Sequence, residues 1–136
     1  MHIVRSRLGV ALAIGMAVPL VACAFDVVTL KRSPAELTAT AASSGQWRLQ
    51  TTQKPYLVSG FASALAAGTI WQKIGTIGQG DVLRTRDQIV SIEASNLYQA
   101  DIVVDHGQLV GFYLPVDHAF TPCSSVRAID LLRQAG

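Results

Sequence analysis

A short polar stretch between two apolar runs constrains the fold of this chain more than any other feature. The residues DHGQ at 105–108 lie between IVV at 102–104 and LVGFYL at 109–114. Apolar, β-prone residues on both sides of a glycine-containing loop are typical of a β-hairpin, with the glycine in the left-handed conformation. Pro115 ends the second run, because proline has no N–H to donate to a neighbouring strand. We therefore predict a four-residue hairpin loop between two antiparallel strands.

Further short β-prone runs precede this hairpin. They lie at residues 47–51, 55–60, 69–77, 81–85, 89–94 and 98–104. Glycine and polar residues separate several of them, and we expect residues 61–68 to form a helical turn or a tightly packed loop. Because closure removes unpaired edges, so many short strands favour a single, mainly β domain, built as a small barrel or a strongly bent antiparallel sheet.

The last residues carry the signals of a short C-terminal helix. Ser124 or Ser125 is in position to cap residues 126–133, and Ile129 and Leu132 would share one face of that helix. We therefore expect the strands to be followed by about two turns of helix.

Two glycine-rich segments resemble parts of bacterial SH3-like domains. IGTIGQGDVL at 74–83 has a glycine turn between two strands, and GQLVGFYLPV at 107–116 has a glycine–aromatic pair in a later strand. The resemblance implies a small barrel and carries over no ligand-binding residues.

The chain begins with a basic segment and an apolar run. Arg5 and Arg7 precede the uncharged run LGVALAIGMAVPLVA, which has fifteen residues. As a helix, that run would span about 22 Å, which is shorter than the ~30 Å hydrocarbon core of a membrane. The pattern is typical of a secretory signal. We therefore predict that residues 1–22 form a signal peptide with a helical apolar region.

The apolar run ends in LVAC at 20–23, which resembles the lipobox of bacterial lipoproteins. The resemblance implies that the chain is cut before Cys23 and that lipid on its sulfur holds the protein on a membrane. Ala24 is not the aspartate that retains many such proteins in the inner membrane, so we expect an outer-membrane lipoprotein facing the periplasm. Location in the inner membrane is an alternative. A soluble periplasmic form is another, because ACA at 22–24 also fits a cleavage site that releases a protein beginning at Phe25.

Charge and composition divide the remaining chain. The net charge of +2 lies entirely before Cys23, since nine basic and nine acidic residues follow. A balanced surface lacks the basic footprint of a nucleic-acid-binding protein, so we expect no nucleic-acid partner. The small polar run at 38–46 is typical of a tether. We predict a lipidated N-terminus and flexible tether over 23–46 and the β-rich domain over 47–136.

One cluster has the residue types of a thiol enzyme. Asp117 and His118 precede Cys123 and Ser124 by a few residues. A histidine activates a thiol only within hydrogen-bond reach, and the sequence shows no oxyanion loop or orienting partner. If lipid occupies Cys23, Cys123 has no second cysteine to pair with. We therefore interpret Cys123 as a buried thiol and predict a protein without enzymatic activity.

Other polar pairs do not match a known type of site. Asp105 with His106 and Asp117 with His118 are two-residue pairs, whereas a zinc site needs three or four protein ligands at suitable spacing. We expect these pairs to be solvated, with no metal ion and no cofactor bound. Glu93 and Asp101 are interpreted as surface charges on strands.

Aromatic residues supply the candidate partner-binding site. Phe112 and Tyr113 are neighbours in a strand and must point to opposite faces, so one of them is exposed or covered by another element. Together with Trp71 they are the candidate partner-binding residues, and core packing is the alternative. We expect a lipid-anchored envelope protein that binds another envelope protein as a non-enzymatic or accessory component. A periplasmic inhibitor or a small-ligand-binding module, soluble or anchored, is the other hypothesis.

Overall fold

The structure is a computed structural model that describes residues 29–41 and 45–135. The described residues contain strands, turns and loops but no α-helix, which confirms the prediction of a small, mainly β domain. Over the same residues there is no helix of the length and apolar character required to cross a membrane. The predicted signal peptide and Cys23 lie outside the described residues.

Within these two ranges, twelve strands form two antiparallel sheets. They are β1 (Ser33–Pro34), β2 (Thr38–Ala39), β3 (Gln46–Leu49), β4 (Phe61–Ala62), β5 (Ile70–Ile77), β6 (Gly80–Thr85), β7 (Ser91–Glu93), β8 (Leu97–Gln99), β9 (Asp101–Asp105), β10 (Gln108–Leu114), β11 (Ala119–Ala128) and β12 (Leu131–Arg133). The main sheet has the order β1-β11-β10-β9-β6-β5-β3-β12, with β2 paired to β5, and the second sheet has the order β4-β7-β8.

The main sheet is strongly bent. Only Ile129 and Asp130 connect β11, near one end of the strand order, to β12 at the other end. The Ile129 N–H donates to the Gly107 carbonyl at 3.1 Å, and the Gln50 N–H donates to the Asp130 carbonyl at 2.9 Å. Among the described residues no ladder pairs β12 with β1 or β11, so the barrel alternative is wrong and the bent sheet is the architecture observed.

The predicted hairpin is confirmed, with a tighter turn than expected. Asp105 pairs with Gln108, so the turn contains only His106 and Gly107. Both have positive φ, 49° at His106 and 74° at Gly107. This conformation matches the right-handed twist of the two strands. β10 ends at Leu114, immediately before Pro115, as predicted.

Other predicted strands differ from those observed. The run at 98–104 is divided between β8 and β9, which belong to different sheets. In the run at 55–60, Tyr56 and Leu57 make isolated bridges rather than a continuous strand. Most of the run at 61–68 is a packed loop that begins with β4, and Leu65 in this loop is fully buried.

Hydrophobic residues pack on both faces of the main sheet. One cluster fills the space between the two sheets and includes Trp71, Leu83, Ile102 and Phe112. A second cluster lies on the opposite face; it contains Ala35, Ile77, Val82, Val103, Tyr113 and Phe120, with Leu37 packed against them. Phe112 and Tyr113 therefore point to opposite faces, as predicted, and both faces are covered.

The segment that covers the second face corrects the predicted tether. β1 pairs with β11 and β2 pairs with β5, and the side chains of Leu30 and Ala35 are buried. Ala35 and Leu37 shield the second face from water, whereas Leu30 packs into the first cluster. The tether prediction is therefore wrong over residues 30–39, and the domain begins before Trp47. Residues 23–28 and 42–44 lie outside the described parts of the chain.

The predicted C-terminal helix is also wrong. Val126 and its neighbours continue β11, and β12 pairs with β3 in antiparallel register. Ile129 is buried, but Leu132 is exposed, so the two residues do not form the shared buried face that the prediction required. An isolated helix of two turns is unstable in water. Pairing of β12 with β3 instead satisfies the backbone hydrogen-bonding groups of this segment.

Candidate functional site

The three aromatic residues predicted to bind a partner are core residues. Trp71 and Phe112 are fully buried and Tyr113 is 2% exposed. The Trp71 Nε1–H donates to Thr69 Oγ1 at 2.8 Å, so the polar atom of this buried ring has a partner. Burial raises the pKa of Tyr113, and the negative charges of Glu36 and Asp101 raise it further. The prediction that these residues present a binding surface is wrong, and their alternative role in the core is the one observed.

The structure separates Asp117 and His118 from Cys123, the residues considered as parts of a thiol-enzyme site. Asp117 and His118 lie in the turn before β11, whereas Cys123 is the fifth residue of that strand. At the usual rise of a strand, the four steps from Ala119, the residue after His118, to Cys123 span about 13 Å, far beyond hydrogen-bond reach. Burial raises the pKa of the Cys123 thiol to about 11. The thiol is therefore protonated at neutral pH, which agrees with its interpretation as a buried thiol.

The two Asp-His pairs lie in different turns. His106 Nδ1 contacts Asp105 Oδ1 at 2.9 Å at the tip of the β9–β10 hairpin, and both side chains are open to solvent. His118 is also exposed and has a φ of 49° in the turn after β10. A search of residues 29–41 and 45–135 finds no group of three or more metal-ligating side chains.

An ion pair joins β6 to the start of β9, and the sequence pattern does not predict it. Asp101, interpreted above as a surface charge, is 2% exposed. Its two carboxylate oxygens accept hydrogen bonds from Arg84 Nε and Nη2, each at 2.9 Å. These bonds raise the pKa of the Arg84 guanidinium. The position of Asp101 beside the apolar run at 102–104 indicated burial, but nothing in the spacing identified Arg84 as its partner.

A groove opens beside this ion pair, where the two sheets separate. The ladder between β6 and β9 ends at Leu83 and Ile102, because β8 turns away to pair with β7. The resulting inter-sheet groove has a volume of about 460 Å³. It is lined by Arg84, Thr85, Gln88, Ile89, Val90, Ser91, Leu97, Tyr98, Gln99, Ala100 and Asp101.

The walls of the inter-sheet groove are apolar at the rim and fixed by hydrogen bonds. Ile89 is 85% exposed and Leu97 is 69% exposed. Gln88, next to Ile89, donates from Nε2 to the Ala64 carbonyl at 2.9 Å and accepts from the Ala66 N–H at 2.7 Å. Asp87 accepts from the Ile70 N–H at 2.6 Å. The loop that carries Ile89 is therefore held in place before any ligand binds.

A second apolar surface, here called the aromatic surface, consists of Tyr56, Val58 and Phe61. All three side chains are more than half exposed. Tyr56 and Phe61 face each other in an isolated antiparallel bridge and line a depression of about 410 Å³. The Arg127 guanidinium lies 5.8 Å from the centre of the Tyr56 ring, within the range of a cation–π contact.

Comparisons with protein-family models, curated proteins and solved structures find no match for this chain.

Proposed function

We propose that this chain is a lipid-anchored protein of the bacterial envelope whose β domain binds a partner protein through the inter-sheet groove. The role is non-enzymatic, as a binding or accessory component of an envelope assembly. The observation that carries the binding proposal is the combination of exposed Ile89 and Leu97 at the rim with the fixed Arg84–Asp101 ion pair. Hydrophobic contacts supply affinity, and polar groups at fixed positions supply orientation.

The shape of the groove favours an extended segment as the ligand. Among residues 29–41 and 45–135, nothing pairs with β6 past Leu83 on the side that faces β9, and β8 is at the edge of its own sheet. An extended segment inserted between them would pair with main-chain groups, as in strand addition. A guanidinium has five N–H donors, and Asp101 accepts from two of those of Arg84. The half-exposed Arg84 side chain is therefore able to donate to a carbonyl of the bound segment.

The anchor proposal is supported by the sequence LVAC at 20–23 after a basic segment and an apolar run. Each buried methylene contributes about 0.8 kcal/mol, so two or three acyl chains on Cys23 would hold the domain on the bilayer almost permanently. Restriction to a surface also raises the effective concentration of a partner on the same membrane.

The groove is tested by cross-linking in cells and by co-purification from membranes. A photoreactive residue in place of Leu97 should give a discrete cross-linked species, and Leu97→Asp should abolish recovery of that partner. Leu132→Asp is the matched control, because Leu132 is also an exposed leucine but lies on β12, outside the groove. Equal recovery with both Asp variants would contradict the groove as the binding site.

The anchor is tested separately by palmitate labelling. The wild-type chain should incorporate label and Cys23→Ser should not. If label persists in Cys23→Ser, the lipid is attached elsewhere and the lipobox interpretation is wrong.

A small ligand is the second candidate occupant of the groove, in keeping with a periplasmic inhibitor or ligand-binding module. The volume of about 460 Å³ falls within the range of small-molecule sites. A small apolar ligand would raise the melting temperature of the domain, and Leu97→Asp would remove that increase. Cross-linking to a protein through position 97 would instead favour the partner-binding proposal.

A further inference from the structure

The aromatic surface adjoins Leu30 and Lys31, which lie near the start of the described part of the chain. The Lys31 N–H donates to Ser59 Oγ at 2.7 Å, and the Lys31 carbonyl accepts from Thr121 Oγ1 at 2.7 Å. Next to this, Leu30 is buried with its Cδ1 3.4 Å from the position a Cβ would take on Gly60. Ser59 and Gly60 lie between Val58 and Phe61 in the sequence, so Leu30 and Lys31 are fixed beside the aromatic surface.

The length of chain before Leu30 limits how far this surface lies from a lipid on Cys23. Seven residue steps separate Cys23 from Leu30. A fully extended chain covers at most about 3.6 Å per residue, so the two Cα atoms are within about 25 Å of each other. A path half-way round a domain of about 100 residues is roughly 50 Å long. With Cys23 held at the membrane by lipid, this separation is too short for the domain to turn Leu30 to the side away from the membrane.

The charges around the aromatic surface suit the headgroup region of a bilayer. Lys54 lines the depression between Tyr56 and Phe61, and the Arg127 Nη1 donates to the Lys54 carbonyl at 3.4 Å. Lys31 is held beside the surface by its backbone bond to Ser59, and Glu93, opposite Phe61 in register, adds one negative charge. Three basic side chains against one acidic side chain favour anionic lipid headgroups.

We propose that the aromatic surface lies in the interface of the bilayer to which Cys23 is anchored. This inference depends on the proposed lipidation and goes beyond it, because it assigns an orientation to the domain. Tyr56 and Phe61 enter the headgroup region, where aromatic rings are favoured, and the basic side chains extend toward lipid phosphates.

The experiment uses the full processed chain, extracted from membranes and reconstituted in vesicles of phosphatidylethanolamine and phosphatidylglycerol. An environment-sensitive fluorophore is attached to Val58→Cys, and some of the lipids carry a nitroxide on the acyl chain. Gln79→Cys is the control position, in the turn between β5 and β6, which are separated from β11 by β9 and β10. The unsubstituted chain is the labelling control, because Cys123 is buried.

We expect a blue-shifted emission that the nitroxide lipid quenches for the label at position 58, and emission typical of water without quenching at position 79. Adding Phe61→Glu to Val58→Cys should remove the quenching while the protein stays lipidated, because Phe61 is exposed and does not support the core.

Three results would overturn the inference. Water-like emission at both positions would show that the domain does not lie on the bilayer. A blue shift without quenching by the lipid nitroxide would show that protein, such as a second copy of the chain, covers the surface. An intact mass without acyl chains would overturn the proposed anchor and this inference together, whereas a lipidated chain with an unquenched label would overturn the orientation alone.

Discussion

At the scale of single residues, the Arg84–Asp101 pair fixes the floor of the inter-sheet groove. Asp101 is nearly fully buried, whereas the Arg84 side chain is 43% exposed. Water is therefore able to solvate Arg84 if its partner is removed, which lowers the cost of breaking the pair relative to a fully buried one.

We predict that Asp101→Ala lowers the free energy of unfolding by about 1 to 2 kcal/mol, because two charge-assisted hydrogen bonds are lost at a buried position. Asp81→Ala is the control; it removes the more exposed ion pair with Lys73, whose contribution should be within about 1 kcal/mol. Urea denaturation measures both. A larger loss of stability in Asp81→Ala than in Asp101→Ala would contradict the stabilising role given to the Arg84–Asp101 pair.

Cys123 gives a second prediction at this scale. Its pKa is raised from 9.0 to about 11 by burial, so the folded protein keeps the thiol proton at a pH where the unfolded chain has released it. The contribution of this group to stability is fully present below pH 9 and is lost as pH rises toward 11. We expect Cys123→Ala to reduce the loss of stability over this interval. A thiol that reacts rapidly with Ellman's reagent in the folded protein at pH 8 would contradict this account.

At the scale of elements, the segment at residues 30–39 is an integral part of the domain. A Cβ on Gly75 would lie 2.5 Å from the Thr38 carbonyl oxygen and 2.7 Å from Leu37 Cδ1. Gly75 therefore allows β2 to approach β5, and this approach places Leu37 over the second hydrophobic cluster.

We predict that Gly75→Ala destabilises the domain by about 1 to 3 kcal/mol, because the β2 backbone has to shift. Gly78→Ala, three residues later, is the matched control, since its Cβ would contact nothing within 4 Å. Thermal denaturation and limited proteolysis before residue 45 measure the effect. Equal stability of the two variants would mean that β2 does not pack on β5.

The β9–β10 hairpin yields a stabilising substitution. His106 has a positive φ, which asparagine tolerates better than histidine in a turn followed by glycine. We predict that His106→Asn stabilises the domain by a few tenths of a kcal/mol to about 1 kcal/mol, despite losing the exposed contact with Asp105. Gly107→Ala should have the opposite effect on the melting temperature, because alanine is strained at a φ of 74°. Destabilisation by His106→Asn would contradict the assigned turn.

The elements also show which parts of the fold could be predicted from sequence. The hairpin at 101–114 and the strand at 70–77 were predictable because their turn chemistry and apolar alternation are local. The choice between a barrel and a bent sheet depends on pairing between residues distant in sequence. The same is true of β12, predicted as part of a helix, and of β1 and β2, predicted as part of a tether. The prediction that Trp71, Phe112 and Tyr113 bind a partner is wrong for the same reason. The alternation of side chains along a strand predicts that Phe112 and Tyr113 face opposite ways. Only the fold shows that Ala35 and Leu37 cover the second face.

At the scale of the whole molecule, the inter-sheet groove and the aromatic surface have different proposed roles. The aromatic surface adjoins Leu30 and Lys31 and faces the bilayer in the proposed orientation. The groove is lined by residues 84–91 and 97–101 and is proposed to bind a partner protein. The proposed orientation requires that the chain is anchored at Cys23, since a soluble form beginning at Phe25 would have no fixed orientation. The groove itself is lined by residues of the domain and does not depend on the anchor.

Lipid attachment at Cys23 is tested by the intact mass of the protein extracted from membranes of cells that express the full chain. We expect a chain that begins at Cys23 and carries the added mass of diacylglycerol, with or without an acyl group on the new amine. An unmodified chain that begins at Phe25, recovered from the soluble fraction, would contradict this expectation.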